Sequence, residues 1–289
     1  MTPSFNQARW LADNLRSVEC QSYPNIEHVV MDGGSTDGSV DILCEAGEGI
    51  RWRSEPDRGQ SHALNKAFAA SRGEIIGWIN SDDAYFDCRV VEDVVRFFET
   101  HPDVDLVYGH AASVNADGMI LHLMWVPGFR FWWFRMSDFI VQPAAFIRRR
   151  AVSEPLVDES LHFAMDYDLW LRTIPRDASA RRRAVARVDR ILAIDRVQPG
   201  RKSLLNRDVL LTDMRELAKR YGISFRVVTG ALSARLVLAP LHVMSRFLGA
   251  WLVRTIPADL AFTVVPSTPA ELLRRQLATR RSRMPVGSE

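Results

Sequence analysis

The chain has 289 residues, of which 47% are hydrophobic and 25% charged, and its formal net charge is +2. This composition excludes an intrinsically disordered chain and supplies enough apolar residues for one large domain with an appendage. Carboxylates concentrate in the first two thirds of the chain, whereas arginine is frequent from Arg148 onward. A basic C-terminal part of this kind suits an anionic membrane, an anionic lipid-linked substrate or nucleic acid.

The cysteines and the first residues indicate the cellular compartment of the protein. Cys20, Cys44 and Cys88 are widely spaced and form no Cys-x-x-Cys pair. We therefore expect neither a disulfide framework nor a zinc site, but reduced and buried thiols, which suits the cytoplasm. No secretory signal is predicted, because no basic stretch followed by an apolar one opens the chain. Residues 1–6 are typical of a strand end, and we expect the first strand to be missing or the chain start to be misassigned.

Helical and strand patterns alternate along the first part of the chain. Apolar residues at helical spacing predict helices over residues 8–20, 39–46, 59–71 and 90–100. Short β-rich runs predict strands over residues 26–31, 50–54, 74–79 and 104–108. This alternation predicts an α/β fold with a mostly parallel, doubly wound sheet, whose ligands bind at the carboxyl ends of the strands.

The order changes beyond Gly109. Residues 125–139 are crowded with aromatic side chains, and residues 187–194 are a predicted strand. Helical spacing predicts helices over residues 168–174 and 204–221.

The C-terminal region is both basic and apolar. Arginines interrupt the apolar residues between 225 and 265, so no stretch reaches the roughly eighteen uncharged residues of a membrane-spanning helix. We predict amphipathic helices separated near Pro240 and Pro257, which either lie on a membrane surface or pack on the rest of the chain or another subunit. The tail at residues 278–289 is predicted to be flexible.

Two adjacent acids follow the predicted strand 74–79. Asp82 and Asp83 repel each other at an exposed strand end unless a cation joins them. A hard divalent ion held by carboxylates and substrate phosphates resolves this repulsion. The alternative is an ordinary solvated acidic turn.

Two loops that precede helices carry polar groups suited to an anion. Asp32-Gly33-Gly34-Ser35 offers close backbone approach and free N–H groups, although Asp37 or Ser35 capping the helix is an alternative. Arg58 either pairs with a diphosphate or forms a surface ion pair with Asp57.

A third acidic segment enters the predicted helix 168–174. Asp166 is either a general base that accepts a proton from a hydroxyl or a helix cap. Asp168 and Arg172 are spaced to pair on one helix face. The 7 histidines show no metal-ligand spacing.

Together these segments closely resemble the family 2 glycosyltransferases over about residues 1–205. The matching motifs are, in chain order, Pro3-Ser4-Phe5-Asn6-Gln7, Gln21-Ser22-Tyr23-Pro24-Asn25-Ile26-Glu27, Asp32-Gly33-Gly34-Ser35-Thr36-Asp37-Gly38-Ser39, Glu55-Pro56-Asp57-Arg58-Gly59-Gln60, Asn80-Ser81-Asp82-Asp83 and Met165-Asp166-Tyr167-Asp168-Leu169-Trp170-Leu171-Arg172. The resemblance implies a GT-A, Rossmann-like doubly wound mixed sheet with a C-terminal helical extension. It also implies inverting transfer of a sugar from a nucleoside-diphosphate sugar to an acceptor hydroxyl.

The resemblance assigns roles residue by residue. The residues that it places around the nucleotide sugar are Pro3, Asp32, Arg58, Asp82 and Gln142. It makes Asp83 the ligand of Mg²⁺ or Mn²⁺ and Asp166 the catalytic base. The expected acceptor is a glycan or a lipid-linked glycan in cell-surface polysaccharide synthesis, and no nucleic-acid partner is expected.

Domain organisation follows from this resemblance over residues 1–205 and from the residue pattern beyond it. Residues 1–205 are the expected catalytic domain, residues 206–277 a helical basic-apolar region, and residues 278–289 the tail. The protein is expected in the cytoplasm, with peripheral contact to the inner face of the cell membrane or homo-oligomer formation through the C-terminal region.

Several positions depart from the family pattern. Gly33 stands where many members have a second acid that contacts the nucleobase of the donor. Met165 stands where Glu usually precedes the catalytic base. Gln198 replaces a His that commonly helps to hold the metal or the diphosphate. Gln198 and the expected loss of the first strand motivate a second hypothesis, a non-catalytic or impaired relative that acts as a binding or assembly partner. A nucleotidyltransferase is disfavoured, because the chain lacks a Gly-rich nucleotide loop near its start.

Overall fold

The computed structural model describes residues 1–135, 137–175, 177–198 and 207–223, in which strands and helices alternate. The strands are β1 Thr2–Ser4, β2 His28–Asp32, β3 Ile50–Ser54, β4 Ile75–Gly77, β5 Ala84–Tyr85, β6 Leu106–Val114, β7 Ile120–Met124, β8 Ala145–Arg148 and β9 Val185–Arg196. The helices are α1 Ala8–Glu19, α2 Ser39–Glu45, α3 Gln60–Ala70, α4 Val90–Thr100, α5 Phe131–Phe134, α6 Met165–Thr173, α7 Ala178–Ala184 and α8 Arg207–Arg220.

The N-terminal half of the sheet is parallel. β2 lies between β1 and β3, with Pro3 opposite Met31 and Val30 opposite Trp52. Met1 continues the sheet on the other side, because its amino group donates to the Gly77 carbonyl at 2.8 Å and its carbonyl accepts from Ile79 N–H at 3.0 Å. β1, β2, β3 and β4 therefore end at the same sheet edge.

The C-terminal half of the sheet is mixed. Its strand order is β4-β8-β6-β9-β5, and β7 pairs with β6 as a hairpin. β8 runs antiparallel to both β4 and β6, whereas β6 and β9 are parallel over their whole paired length. The doubly wound mixed α/β sheet expected from the sequence is thus confirmed.

The expected loss of the first strand needs a correction. Residues Thr2–Ser4 form a strand, pair with β2 and are buried. A run that is only three residues long carries little periodicity, so it is identified as a strand through its partner β2.

Helices pack apolar stripes against both faces of the sheet. α4 buries Val90, Val94 and Phe98, which lie one turn apart on one face. α3 and α6 contribute to a core cluster on the opposite side, with Leu64 and Trp170 buried among its members. This packing holds the loops that leave β2, β4 and β8 in place.

The prediction of reduced, buried thiols is wrong. Cys20, just after α1, is joined to Cys88, just before α4, in a disulfide that spans 68 residues of chain. The same junction is held by Gln21, which donates to the Asp87 carbonyl at 2.8 Å. Cys44 is free but exposed. The sequence offers no signal for this pairing, because it depends on tertiary contact between two helix ends.

The predicted C-terminal region is only partly within the described residues. α8 confirms the helix that the sequence predicts over residues 204–221. The amphipathic helices and the tail predicted beyond residue 223 lie outside the described residues. Within the part of the chain that the structure describes, no helix is long and apolar enough to cross a membrane.

Candidate active site

Asp32 organises the loop at the end of β2. The residue is only 1% exposed. Its Oδ2 accepts the N–H groups of Gly34 at 3.0 Å and Ser35 at 2.8 Å, together with the Ser54 hydroxyl at 2.7 Å. Gly34 adopts a φ of 84°, a left-handed conformation that favours glycine and lets this loop fold back on the carboxylate. Asp32 therefore shapes the loop through its own hydrogen bonds.

A second carboxylate lies beside Gly33. A Cβ atom at Gly33 would lie 3.0 Å from Asp57 Oδ2 and 3.2 Å from the ring of Phe5. Asp57 Oδ1 accepts the Gly59 N–H at 2.8 Å, which fixes the direction of the carboxylate. Phe5 is 58% exposed. An exposed aromatic face and a carboxylate thus border the position where the family pattern expects the second acid.

Asn80 is the centre of the loop that follows β4. Its Oδ1 accepts Gln60 Nε2 at 2.7 Å and Trp78 Nε1 at 2.8 Å. Its Nδ2 donates to Gln142 Oε1 at 3.0 Å and to Asp83 Oδ2 at 3.2 Å. One amide side chain therefore connects α3, β4, the acidic pair and the turn at Gln142.

The two acids of the pair have different surroundings. Asp83 is 4% exposed, and its Oδ1 accepts the Arg196 N–H at 3.0 Å. Asp82 is partly exposed, and its Oδ2 accepts Gln198 Nε2 at 3.1 Å. Arg196 Nε also donates to the Asp82 carbonyl at 2.9 Å. The end of β9 therefore holds the acidic pair, and Gln198 reaches it from the position where the family has His.

Asp166 lies in the first turn of α6, but it does not cap the helix. The N-cap residue is Ala164, which makes no side-chain cap hydrogen bond. Asp166 Oδ1 accepts the Tyr167 N–H at 2.8 Å. By contrast Asp168 is fully buried and pairs with Arg172 Nε at 2.8 Å, as its spacing predicts.

Asp166 shares its surroundings with a second acid, Asp138. Burial of its carboxyl group raises the pKa of Asp166 to about 6. Asp138 as a whole residue is exposed, but its carboxyl group is poorly hydrated. This poor hydration and the nearby negative charge of Asp166 raise the pKa of Asp138 well above its usual range. A carboxylate with a pKa near neutrality is well suited to accept a proton at physiological pH.

The first turn of α3 joins the two acidic loops. Gln60 donates to Asn80, which contacts Asp83. The next residue, Ser61, contacts Met165 Sδ at 2.9 Å and the Leu161 carbonyl at 3.2 Å, directly before Asp166. The acids at the end of β4 and at the start of α6 therefore converge on one helix end.

Arg58 and Pro3 lie around the same edge. Arg58 Nη2 pairs with Glu159 Oε2 at 2.7 Å, so the predicted alternative of a pair with Asp57 is wrong. The same hydrogen bond lowers the pKa of Glu159. Pro3 is buried in β1, where it supports the Asp32 loop through strand pairing rather than through an exposed side chain.

Several site residues were not identified from the sequence. Asn80, Gln60, Asp138 and Glu159 act through partners that are distant in the chain, so spacing alone does not mark them. For Asn80 and Gln60 the available signal is that each is an end residue of a matching motif, since Gln60 closes the motif at 55–60 and Asn80 opens the motif at 80–83.

Comparison with solved structures defines the fold. A mannosyltransferase from Pyrobaculum calidifontis in complex with GDP-Man and Mn²⁺ aligns with a TM-score of 0.56 and 20% identity, over 96% of this chain and 78% of that one. A fragment of S. aureus TarS in complex with UDP-GlcNAc aligns with a TM-score of 0.56 and 15% identity, over 88% of this chain and 75% of that one. The fold is that of the GT-A glycosyltransferases.

Sequence comparison then gives the family. The model of glycosyl transferase family 2 matches residues 1–155, and the chain belongs to this family. An uncharacterized glycosyltransferase of Mycobacterium tuberculosis is 36% identical over 112 residues, which are 38% of this chain and 42% of that protein. The match thus spans less than half of that relative.

Proposed function

We propose that this protein is an inverting glycosyltransferase that moves a sugar from a nucleoside-diphosphate sugar to an acceptor hydroxyl. The observation that carries the proposal is the first turn of α3, which ties the Asp82-Asp83 loop to the Asp166 loop through Gln60 and Ser61. One acidic loop is suited to the leaving diphosphate and the other to the attacking hydroxyl. A transfer reaction needs both of these groups at one place.

The acceptor side of the reaction is assigned to Asp166. Its raised pKa leaves it ionised, yet basic enough to accept the hydroxyl proton as the hydroxyl attacks the anomeric carbon. Attack from the face opposite the leaving group inverts the anomeric configuration. We assign Gln142 to the sugar side of the site, because it is 9% exposed and its Oε1 accepts Asn80 Nδ2, which also contacts Asp83.

The donor side is assigned to the β2 and β4 loops. Asp32 and Pro3 maintain the loop against which the nucleoside lies, and Asp82 is the partly exposed acid next to the donor. Arg58, now paired with exposed Glu159, is free to exchange that partner for a diphosphate oxygen, because an exposed ion pair contributes little.

A divalent cation fits this donor set. Within residues 1–135, 137–175, 177–198 and 207–223, no group of three or more His, Cys, Asp or Glu side chains could hold a metal. Asp83 and Asp82 instead supply hard oxygen ligands that suit Mg²⁺ or Mn²⁺ sharing its shell with a diphosphate. Such an ion, when bound, neutralises charge on the leaving diphosphate.

The wider role that we propose is synthesis of a cell-surface polysaccharide or its lipid-linked precursor, at the cytoplasmic side of the membrane. The basic and apolar composition of residues 206–277 supports this acceptor class. Membrane contact through that region stays a prediction, because most of it lies outside the described residues.

A donor screen tests the proposed function. The protein is incubated with UDP-, GDP- and TDP-sugars and Mn²⁺ or Mg²⁺, and release of the nucleoside diphosphate is measured with and without glycan acceptors. We expect release from at least one donor and its loss on removal of the metal with EDTA. If no donor is turned over and no nucleoside diphosphate binds, the non-catalytic alternative is correct.

The pH profile of transfer should follow the ionisation of Asp166. The proton-accepting form is the carboxylate, so kcat/KM should be constant above pH 6 and fall about tenfold per pH unit below it. Asp138→Asn is the matched control. Poor hydration and the charge of Asp166 raise the pKa of Asp138, whereas the pKa of Asp166 is raised by its own burial, so the amide should leave the acid limb in place. An acid limb near pH 4 would exclude Asp166 as the base.

Asp57 should contribute to nucleotide affinity. Its Oδ2 lies where a side chain at position 33 would point, beside the exposed ring of Phe5. Since a hydrogen bond to a charged group is worth about 1.5–3 kcal/mol, Asp57→Ala should weaken UDP or GDP binding by about ten- to a hundredfold. Isothermal titration with N3-methyl-UDP is the control. N3-methylation should weaken UDP binding to the native protein and leave UDP binding to the variant unchanged.

A further inference from the structure

The loop that leads into α6 is held by a carboxylate from another helix. Asp213 lies in the middle of α8 and is only 4% exposed. Its Oδ2 accepts the backbone N–H groups of His162 at 2.8 Å, Phe163 at 2.7 Å and Ala164 at 3.2 Å. A single oxygen therefore satisfies three consecutive amide groups, about fifty residues away along the chain.

These three amides belong to the segment immediately before the base. α6 begins at Met165, and its N-cap residue Ala164 provides no side-chain acceptor of its own. The start of this helix has no local cap, and buried N–H groups without acceptors are costly. Asp213 supplies the missing negative group two residues before Asp166.

The remainder of α8 is attached to the same helix. Asp168 Oδ1 accepts Arg220 Nη1 at 3.0 Å and the Tyr221 hydroxyl at 2.7 Å. Leu217 is fully buried in the core cluster that contains α6. The end of α8 also meets the segment before Asp138, because Arg135 Nη2 donates to the Gly222 carbonyl at 2.8 Å.

We infer that α8 is part of the catalytic unit and that Asp213 is a positioning residue for the base. It acts through residues 162–164, the loop that leads into α6. Asp213 accepts three hydrogen bonds from residues 162–164 and so fixes the backbone of this loop. The loop in turn fixes the position of Asp166 in the first turn of α6. The inference rests on the proposed role of Asp166 as the base. It extends the catalytic unit through residue 223, beyond the boundary at 205 that the sequence predicts.

The test combines hydrogen exchange with kinetics on the full chain. In Asp213→Ala, amide exchange at residues 162–164 should accelerate by about tenfold or more, because their acceptor is lost. With UDP-glucose or GDP-mannose and Mn²⁺ as probes, kcat should fall about ten- to a hundredfold while donor KM changes less than about twofold. The acid limb should also move to lower pH, since a loosened loop hydrates Asp166.

Matched variants separate positioning from general stability. Asp208→Asn makes the acid-to-amide change at an exposed site of α8 and should leave exchange at 162–164 and kcat unchanged. Tyr221→Phe removes a contact at the far end of α8 and should lower the Tm without the loss of kcat. Asp213→Asn, which keeps an acceptor oxygen, should recover part of the activity.

The outcomes are distinct. Unchanged exchange at 162–164 in Asp213→Ala would overturn the inference, and so would faster exchange with native kcat and a native pH profile. An equal kcat loss in Tyr221→Phe at the same Tm would reduce Asp213 to a purely structural role. A native protein that turns over neither probe nor any other donor overturns the proposed function, which is seen before any variant is compared.

Discussion

Asp166→Asn should abolish sugar transfer while leaving the fold intact. The amide has the shape of the carboxylate and its oxygen still accepts the Tyr167 N–H, a 2.8 Å contact in the native protein. It cannot accept a proton, so kcat should fall by about a hundred- to ten-thousandfold. Nucleotide binding should persist, because the donor side is built from other loops. Single-turnover transfer and UDP or GDP titration measure the two effects separately.

The neighbouring acid provides the contrast. Asp168 is fully buried, and its partners are Arg172, Arg220 and Tyr221. Breaking a buried ion pair of this kind costs about 3–5 kcal/mol, so Asp168→Asn should lower the Tm strongly. The activity of the fraction that remains folded should be close to native. If Asp166→Asn kept full activity while Asp168→Asn lost it, the assignment of the base would be wrong.

The sequence predicts the regular elements well where the pattern is local. α4 and β3 begin and end where their apolar spacing indicates, at 90–100 and 50–54. β8 was not predicted, because it is four residues long and acquires its place between β4 and β6 only through long-range pairing. β6 runs to Val114, beyond the predicted 108, since pairing with β9 buries even its polar residues His110 and Ser113.

The residues of the site also divide into those that a local sequence pattern predicts and those that it does not. Strand ends and helix starts mark Asp32, Asp83 and Asp166 in the sequence, because those positions depend on local backbone geometry. The groups that bring these loops together come from far along the chain. Gln60 meets Asn80 across 20 residues, and Asp213 meets Ala164 across 49. Contacts of this kind carry no periodicity, so the folded structure is needed to find them.

Asp83→Ala should remove the metal-dependent part of nucleotide binding. Asp83 is held in place by Arg196 N–H and Asn80 Nδ2, so its carboxylate is preorganised at the end of β4. Without it the cation loses a ligand, and transfer should fall by about a thousandfold, comparable to the loss of other preorganised charge. The measurement is UDP or GDP titration with Mn²⁺ and with EDTA. Asp82→Ala should have a smaller effect, and nucleotide binding by Asp83→Ala that still depended on Mn²⁺ as in the native protein would exclude the site.

Gln198→His should strengthen metal binding, whereas Asp83→Ala should weaken it. Gln198 Nε2 lies 3.1 Å from Asp82 Oδ2, so position 198 reaches the acidic pair although it carries an amide. A neutral imidazole is a better metal ligand than an amide, and it adds a third protein group to the two carboxylates. Mn²⁺ affinity in the presence of UDP or GDP should therefore rise, and the variant should need less metal for half-maximal activity. The gain must vanish in the double variant with Asp83→Ala, since imidazole alone cannot replace the carboxylate. A gain that persisted there would place the cation elsewhere, whereas its loss would tie β4 and β9 to a single metal centre.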